Sequence, residues 1–246
     1  MHDKFHDSAG VPWEGREFSQ NSWSKDDGST PRLLAEALEG DLDKAKLFSA
    51  LAQSRLLIPL LAELGESGVG AHGQAVDKSA DLAIVAVSTP DGKTAIPAFS
   101  SVAEMASWNA SARPVPVDVP KLAIAAVSEG HDRVVVNPAG RALGIRRPAL
   151  AALAQGLLWS PPHLNSQVVG LVAAAATARP EIQSVRVFDA DPDSQLLKPE
   201  LGIEIGLAAG LAQAELQKVL TQFGVGLQTQ EFLQLVDSFT IKLIAV

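Results

Sequence analysis

Two short stretches decide the fold of this chain: Thr94-Ala-Ile-Pro-Ala-Phe-Ser-Ser-Val-Ala-Glu-Met-Ala-Ser-Trp108 and Arg133-Val-Val-Val-Asn-Pro-Ala-Gly140. In the first, an apolar strand leads into a helix, because Ser101 is a good N-cap and Glu104 stands where it can complete a capping box. In the second, a run of valines ends at Pro138, which cannot donate to a sheet ladder and restricts the residue before it. Both stretches are junctions between elements, and neither holds a nucleophile beside a base.

The composition sets limits on the class of protein. The chain has 246 residues, of which 47% are hydrophobic, so it can bury a substantial core. Its formal net charge of -8 argues against a nucleic-acid partner, because phosphate binding needs clustered Lys and Arg. No stretch has the roughly 18 uncharged apolar residues of a membrane span. No apolar signal segment follows Met1 and the chain has no cysteine, so we expect a cytoplasmic protein without disulfides.

Changes in composition predict four segments along the chain. A polar, glycine-broken arm is followed by a first domain, a proline-stiffened linker and a second domain. The predicted bounds are 1–31 for the arm, 32–156 for the first domain, 157–166 for the linker and 167–246 for the second domain. We therefore expect two separately organised domains.

Trp13, Phe18 and Trp23 are large aromatic residues of the arm that follow one another at intervals of five residues. This spacing does not fit one helix face, and disordered tails rarely keep large aromatics. We therefore expect an extended segment that packs these side chains on the first domain. The alternative is that they contact a partner protein.

Helical and strand patterns are mixed in both domains, which predicts the α+β class with two small α/β-sandwich modules. In the first domain, Pro90-Asp91-Gly92 predicts the turn of a hairpin, since it presets the turn and supplies a residue that accepts positive φ. In the second domain, the predicted order is helix, strand, strand, helix, strand. That order is similar to a ferredoxin-like fold without its first strand.

Two glycine motifs suggest enzyme chemistry that their context does not support. Gly68-Val-Gly-Ala-His-Gly73 matches the dinucleotide-binding pattern, but it leads into a polar segment and a strand rather than directly into a helix. Gly65-Glu-Ser-Gly-Val69 differs from the nucleophile elbow in its last residue. We interpret both as loop, and we predict no cofactor and no catalytic residue.

The candidate metal ligands are also isolated. His131 and His163 each lack a second imidazole at ligand spacing. Asp189, Asp191 and Asp193 occupy alternate positions as in a calcium loop, but the glycine and the closing glutamate of such a loop are missing. The sequence therefore predicts an acidic turn and no metal site.

Several stretches together resemble the SseB-like family in its actinobacterial form. They are Gly10-Val-Pro-Trp-Glu-Gly-Arg-Glu-Phe18, Asp26-Asp-Gly28, Thr30-Pro31 with Leu33 and Ala37-Leu38, Ile96-Pro-Ala-Phe-Ser-Ser101, and Val134-Val-Val-Asn-Pro138. The resemblance covers residues 10–156, and the second domain resembles the SseB C-terminal domain in its order of elements. It implies a fold, but it implies no agreed enzymatic activity, cofactor or catalytic residue.

Two classes of function remain. The first is a non-enzymatic cytoplasmic binding or adaptor protein whose partner is another protein or a second copy of the chain. Its predicted binding residues are Phe99, Ser100, Ser101, Trp108, Asn137 and Pro138, together with the arm. The second is a small-molecule binder or hydrolase that uses a cleft between the domains, with Ser100, Ser101, Asn137 and His131 as its polar groups. We favour the first class, because no positioned base or metal can be assembled from the sequence.

Overall fold

The structure is a computed structural model, and it describes Trp23, residues 25–61 and residues 85–245. Its helices in these residues are α1 Arg32–Leu38, α2 Lys44–Ala52, α3 Val102–Trp108, α4 Val119–Ser128, α5 Arg147–Gln155, α6 Ser166–Thr177, α7 Gln213–Leu227 and α8 Gln230–Leu235. Its strands are β1 Arg55–Leu60, β2 Val87–Ser88, β3 Thr94–Ala98, β4 Arg113–Asp118, β5 Arg133–Val136, β6 Leu143–Arg146, β7 Ile182–Asp189, β8 Leu201–Leu207 and β9 Phe239–Ala245. This mixture of helices and sheets confirms the α+β class.

A four-stranded sheet in the order β2-β3-β5-β6 forms the centre of the N-terminal half. The predicted hairpin joins β2 to β3, and Gly92 in its turn has a φ of 77°. β3 and β5 run parallel, and β5 and β6 form a second hairpin. Asn137 in that second turn has a φ of 53°, a conformation that asparagine tolerates better than most residues.

The strand β4 was not predicted from the sequence. It pairs antiparallel with β1 in a separate two-stranded sheet, in which Pro59 lies opposite Pro114. Proline lacks a backbone donor and therefore weakens a strand pattern, but a strand with one free edge tolerates it. Leu57 and Phe99 exchange two backbone hydrogen bonds of 2.8 Å, which join this sheet to the end of β3.

The core of the N-terminal half lies between the four-stranded sheet and its helices. It contains Leu34 of α1, Leu51 of α2, Ile96 of β3, Leu122 of α4 and Leu150 of α5, all of them almost inaccessible to solvent. Each helix contributes one apolar face, which is the usual way in which a sheet and helices share a core.

A three-stranded sheet in the order β7-β8-β9 forms the C-terminal half. β7 and β8 are antiparallel, whereas β8 and β9 are parallel and are joined through α7 and α8. The helix-strand-strand-helix-strand order is as predicted. β8 and β9 are direct neighbours in the sheet. In a ferredoxin-like fold, another strand lies between the two parallel strands that such a crossover connects. The stretch after Thr229 forms the short helix α8.

The predicted linker contacts both halves: Trp159 packs on the N-terminal half, and the 3-10 turn after it lies against α6, β7 and β8 of the C-terminal half. Pro161 and Pro162 are buried, and Pro162–Leu164 forms a turn of 3-10 helix. The ring of Trp159 packs on that of Phe48, with 5.3 Å between the ring centroids. The domain boundary at 157–166 stays a prediction.

Among the described residues, no helix has both the length and the apolar composition to cross a bilayer.

Candidate functional site

The structure brings two of the predicted polar residues together at the end of β3. Ser100 N donates to Asn137 Oδ1 over 2.9 Å, and Asn137 Nδ2 donates to Ser100 Oγ over 3.0 Å. Ser101 instead accepts a bond from Glu104 N and caps α3. Ser100, Ser101 and Asn137 are all buried, so these polar atoms stabilise a junction inside the protein.

The aromatic residues predicted for the same surface differ in exposure. Phe99 is fully buried, in a small cluster with Leu57 and Met105, and its ring lies 5.4 Å from that of Trp108. Trp108 and Pro138 are half-buried. Phe99 therefore contributes no surface to a partner, whereas Trp108 and Pro138 retain part of theirs.

His131 does not join the serines and Asn137. Its Nδ1 lies 3.2 Å from Thr94 Oγ1, at the first residue of β3, whereas Ser100 lies two residues beyond the last residue of that strand. Extended chain rises about 3.3 Å per residue, so the six residues from Thr94 to Ser100 span up to roughly 20 Å. The group of Ser100, Ser101, Asn137 and His131 that a hydrolase would need is therefore not assembled.

Residues 25–31, the end of the predicted arm, contact the first domain through Arg55. This buried arginine donates to both carboxylate oxygens of Asp26 and to the carbonyls of Ser29 and Ser100. The hydrogen bond from Arg55 holds the pKa of Asp26 below its usual value, against the opposing effect of burial. Trp23 is half-buried, and Trp13 and Phe18 lie outside the described residues.

A cluster of charged side chains connects the two halves. Its buried members are Arg133, Arg146, Asp191 and Asp237, and Asp91, whose side chain is 20% exposed, lies at its edge. Arg133 and Arg146 lie directly opposite each other on β5 and β6. Arg133 donates to Asp91 and Asp237, with its Nη2 at 2.9 Å and 2.7 Å from their oxygens. Arg146 donates to Asp191 over 2.6 Å. The halves are thus joined by buried ion pairs that sequence reasoning did not identify.

The acidic turn after β7 is part of this contact. Asp189 pairs with Lys44, with 2.8 Å between nitrogen and oxygen, whereas Asp193 is exposed. Further along the turn, Leu196 packs over Gly144, and Gly144 N donates to Ser194 O over 2.6 Å. The carboxylates of the turn thus diverge. The described residues contain no group of three or more side chains that could hold a metal ion.

Glu200 is buried at the same interface. Its Oε2 accepts a bond of 2.8 Å from Asp237 N, and burial raises the pKa of the Glu200 carboxyl to about 7. The cavity beside it, lined also by Lys44, Arg146 and Trp159, measures about 30 Å³. This cavity has room for about one water molecule, so it is too small to hold a metabolite.

A larger groove of about 910 Å³ lies on the outside of the same contact, between α5 and α8 and beside the predicted linker. Its lining is mostly apolar, and Arg147 is the charged residue in it. Leu158 is 100% exposed in this lining, and Leu157 and Val127 are at least half exposed. The leucine pair beside Trp159 is the sequence signal that could have indicated this groove. The two prolines that follow it favour a linker instead. Exposed apolar grooves are typical of protein interaction sites.

Comparison with known proteins supports the resemblance in part. Residues 31–152 match the family model described as the SseB protein N-terminal domain. No curated protein and no solved structure matches the chain. The match ends within α5, so the groove has one wall inside the matched domain and its other walls outside it.

Proposed function

We propose that this chain, which carries an SseB N-terminal domain over residues 31–152, is a non-enzymatic protein that binds an apolar segment of a partner protein in the groove between α5 and α8. The observation that carries the proposal is the complete exposure of Leu158 at this groove. The C-terminal half takes part, because α8 provides one wall. In this proposal that half is the counterpart of the SseB C-terminal domain.

The free energy of binding comes mainly from covering the exposed leucines. Burying one leucine side chain contributes about 1.5 to 3 kcal/mol. Leu157 and Leu158 are adjacent in sequence, and Val127 lines the same groove. A partner that covers all three gains enough to offset part of the entropy lost on association.

The single charge in the lining indicates the chemistry of the partner. Arg147 Nη2 donates to Leu233 O on α8 over 3.1 Å, which holds the guanidinium at the groove. A guanidinium has five N–H donors, so Arg147 retains donors for a carboxylate. The partner segment is therefore an amphipathic helix with an apolar face and an acidic residue beside it.

Catalysis is less well supported than binding. The candidate serines and Asn137 are buried and bonded to each other, and His131 lies at the other end of β3. The cavity between the halves has room for about one water molecule. We also propose that the partner is not a nucleic acid, on the basis of the net charge of -8, and that the protein acts in the cytoplasm.

The test compares leucine variants at the groove with a matched variant elsewhere. Leu158→Asp places a charge in the groove, whereas Val225→Asp does the same at a position of α7 that is 62% exposed and outside the lining. A partner that co-purifies with the wild-type chain is identified and purified, and its affinity is measured by isothermal titration calorimetry. We expect Leu158→Asp to weaken binding at least about tenfold, and Arg147→Ala to weaken it less.

The control variant separates a loss of binding at the groove from a general effect of the added charge. Val225→Asp should bind as the wild type does, and the melting temperatures of all three variants should stay close to that of the wild type. Equal affinities for Leu158→Asp and Val225→Asp would contradict the groove as the binding site. A measurable turnover of a small molecule would contradict the non-enzymatic role.

A further inference from the structure

Glu200 interacts electrostatically with charged groups from three other parts of the chain: Lys44 of α2, Arg146 of β6 and Asp237 after α8. Two of these groups have their own partners, since Asp189 at the end of β7 pairs with Lys44 and Asp191 in the turn after it pairs with Arg146. His163 of the 3-10 turn adjoins Lys44 and Asp189. The Glu200 side chain thus lies where the two halves meet, among groups from both.

The charges around Glu200 are already balanced without it. Asp189 pairs with Lys44, Asp191 with Arg146, and Asp237 with Arg133, at distances of 2.8, 2.6 and 2.7 Å. Within the described residues, the Glu200 carboxyl forms no ion pair and accepts a single hydrogen bond, from the backbone N–H of Asp237. An ionised Glu200 is therefore a surplus negative charge in a site that is 5% exposed.

The contacts of Glu200 lead directly to the two walls of the groove. Arg146 is the N-cap residue of α5, and Asp237 follows the end of α8 by two residues. Arg146 Nη1 lies 3.3 Å from Ser238 Oγ, and Ser238 Oγ accepts a bond of 3.1 Å from Glu200 N. Glu200 is therefore one of the links between the start of α5 and the end of α8, beside the bond from Arg146 to Asp237 and the bond from Arg147 to Leu233.

We propose that Glu200 is a proton-controlled contact: the protonated side chain holds α8 against α5, and loss of the proton loosens this contact and widens the groove. Burial disfavours the ionised carboxylate, which Arg146 and Lys44 attract and Asp237 repels, so the ionised form is more stable where water reaches it. The effect of this contact on partner binding rests on the proposed function. Its effect on the width of the groove does not, because the width can be measured without a partner.

The direction of the pH effect follows from the change in pKa. When the contact opens, water reaches Glu200 and its pKa falls from about 7 toward its usual value. A group with a raised pKa in the closed state favours that state below the usual pKa and loses this effect as the pH rises through the raised value. The groove should therefore be narrow in mild acid and wider above neutral pH.

The experiment measures the width of the groove directly. Because the chain has no cysteine, spin labels can be attached to Gln155→Cys and Gln234→Cys, two exposed lining positions on opposite walls. Electron-electron resonance at about pH 6 and about pH 8 gives the distance between the labels in each state. We expect a longer or broader distance distribution at the higher pH, and no change with pH when Glu200→Gln is added.

Glu204→Gln is the matched control, since Glu204 lies on β8 but pairs with Lys242 and Arg186 on the open face of the sheet. It should keep the pH response. The same response with and without Glu200→Gln would overturn the proposal, and so would no response in the wild-type background. The labelled protein contains no partner, so this result is independent of whether Leu158→Asp affects binding.

A second measurement needs no substitution. Carbon-13 NMR of the Glu200 carboxyl in the wild-type chain gives the midpoint of its titration. A midpoint between about pH 6 and pH 8 supports the proposal, whereas a midpoint below about pH 5 overturns it, because the carboxyl would then be ionised at every relevant pH.

Discussion

At the scale of single residues, three buried arginines distinguish this protein. Arg55, Arg133 and Arg146 are each at most 6% exposed. Each guanidinium donates to at least one carboxylate and at least one further acceptor, so its charge is matched by geometry as well as by sign. Removing one partner of such a pair costs about 3 to 5 kcal/mol, because the other charge stays buried. The arginines therefore determine how neighbouring segments are oriented.

Gly144 is the residue at which we expect the clearest effect of a small change. A Cβ at this position would lie 2.2 Å from Leu196 Cγ, so Gly144→Ala must displace Leu196 from its site. We expect the free energy of unfolding to fall by about 1 to 3 kcal/mol, measured by urea denaturation.

Two further variants control this prediction. Gly170→Ala in α6 meets open space and should stabilise the protein by up to about 1 kcal/mol, because alanine is the better helix former. Leu196→Ala removes the obstacle, so the double variant Gly144→Ala with Leu196→Ala should cost less than the sum of the single variants. A strictly additive result would show that Gly144 and Leu196 are not in contact.

At the scale of elements, the segment 25–31 connects the predicted arm to the first domain. Asp26 pairs with Arg55, Gly28 O accepts a bond of 2.9 Å from Val102 N at the start of α3, and Thr30 donates to Ser100. These contacts lie outside regular secondary structure, yet they satisfy a buried guanidinium and a free helix N–H.

We expect deletion of residues 1–28 to lower the melting temperature well below that of a chain that lacks residues 1–22. The longer deletion removes Asp26 and leaves Arg55 with a buried charge that is incompletely paired, at a cost of about 3 to 5 kcal/mol. The measurement is thermal denaturation followed by circular dichroism.

The shorter deletion keeps Asp26 and Gly28 and isolates the effect of Trp13 and Phe18. If those residues pack on the first domain, the shorter deletion also lowers the melting temperature. Equal melting temperatures for the two deletions would contradict the structural role of Asp26.

At the scale of the whole molecule, buried charges and the apolar side chain of Leu196 help to hold the halves together. Asp237 of the C-terminal half receives bonds from both Arg133 and Arg146 of the N-terminal half. Leu196 packs on Ala95 and Val135. Because these contacts cross the predicted domain boundary, we expect the two halves to unfold in one transition.

Asp237→Asn should uncouple the halves. It removes the negative charge shared by two buried arginines, and we expect calorimetry to show two transitions or a lower, broader one. Limited proteolysis should then cut near residues 157–166 faster than in the wild type, where Pro161 and Pro162 are buried. Asp193→Asn, an exposed change in the acidic turn, is the control. A single sharp transition in Asp237→Asn would contradict the coupling.

The sequence by itself determined the elements whose signals are local. The cap at Ser101 and the turn at Gly92 both lie where the sequence predicts them, and Gly156, with a positive φ, ends α5. An N-cap or a glycine with positive φ acts within three or four residues, so its effect can be read from a short stretch. Ser101 and Gly92 both lie within residues 31–152, which match the SseB N-terminal domain.

Only the tertiary structure decided which distant residues meet. Arg133 and Asp237 are separated by 104 positions, and a lone arginine in a run of valines does not indicate its partner. The proline-rich strand β4 exists because β1 pairs with it, and the pKa of Glu200 is raised because both halves bury it. Pairing, burial and the shape of the groove depend on contacts between segments far apart in the chain, and no local pattern encodes them.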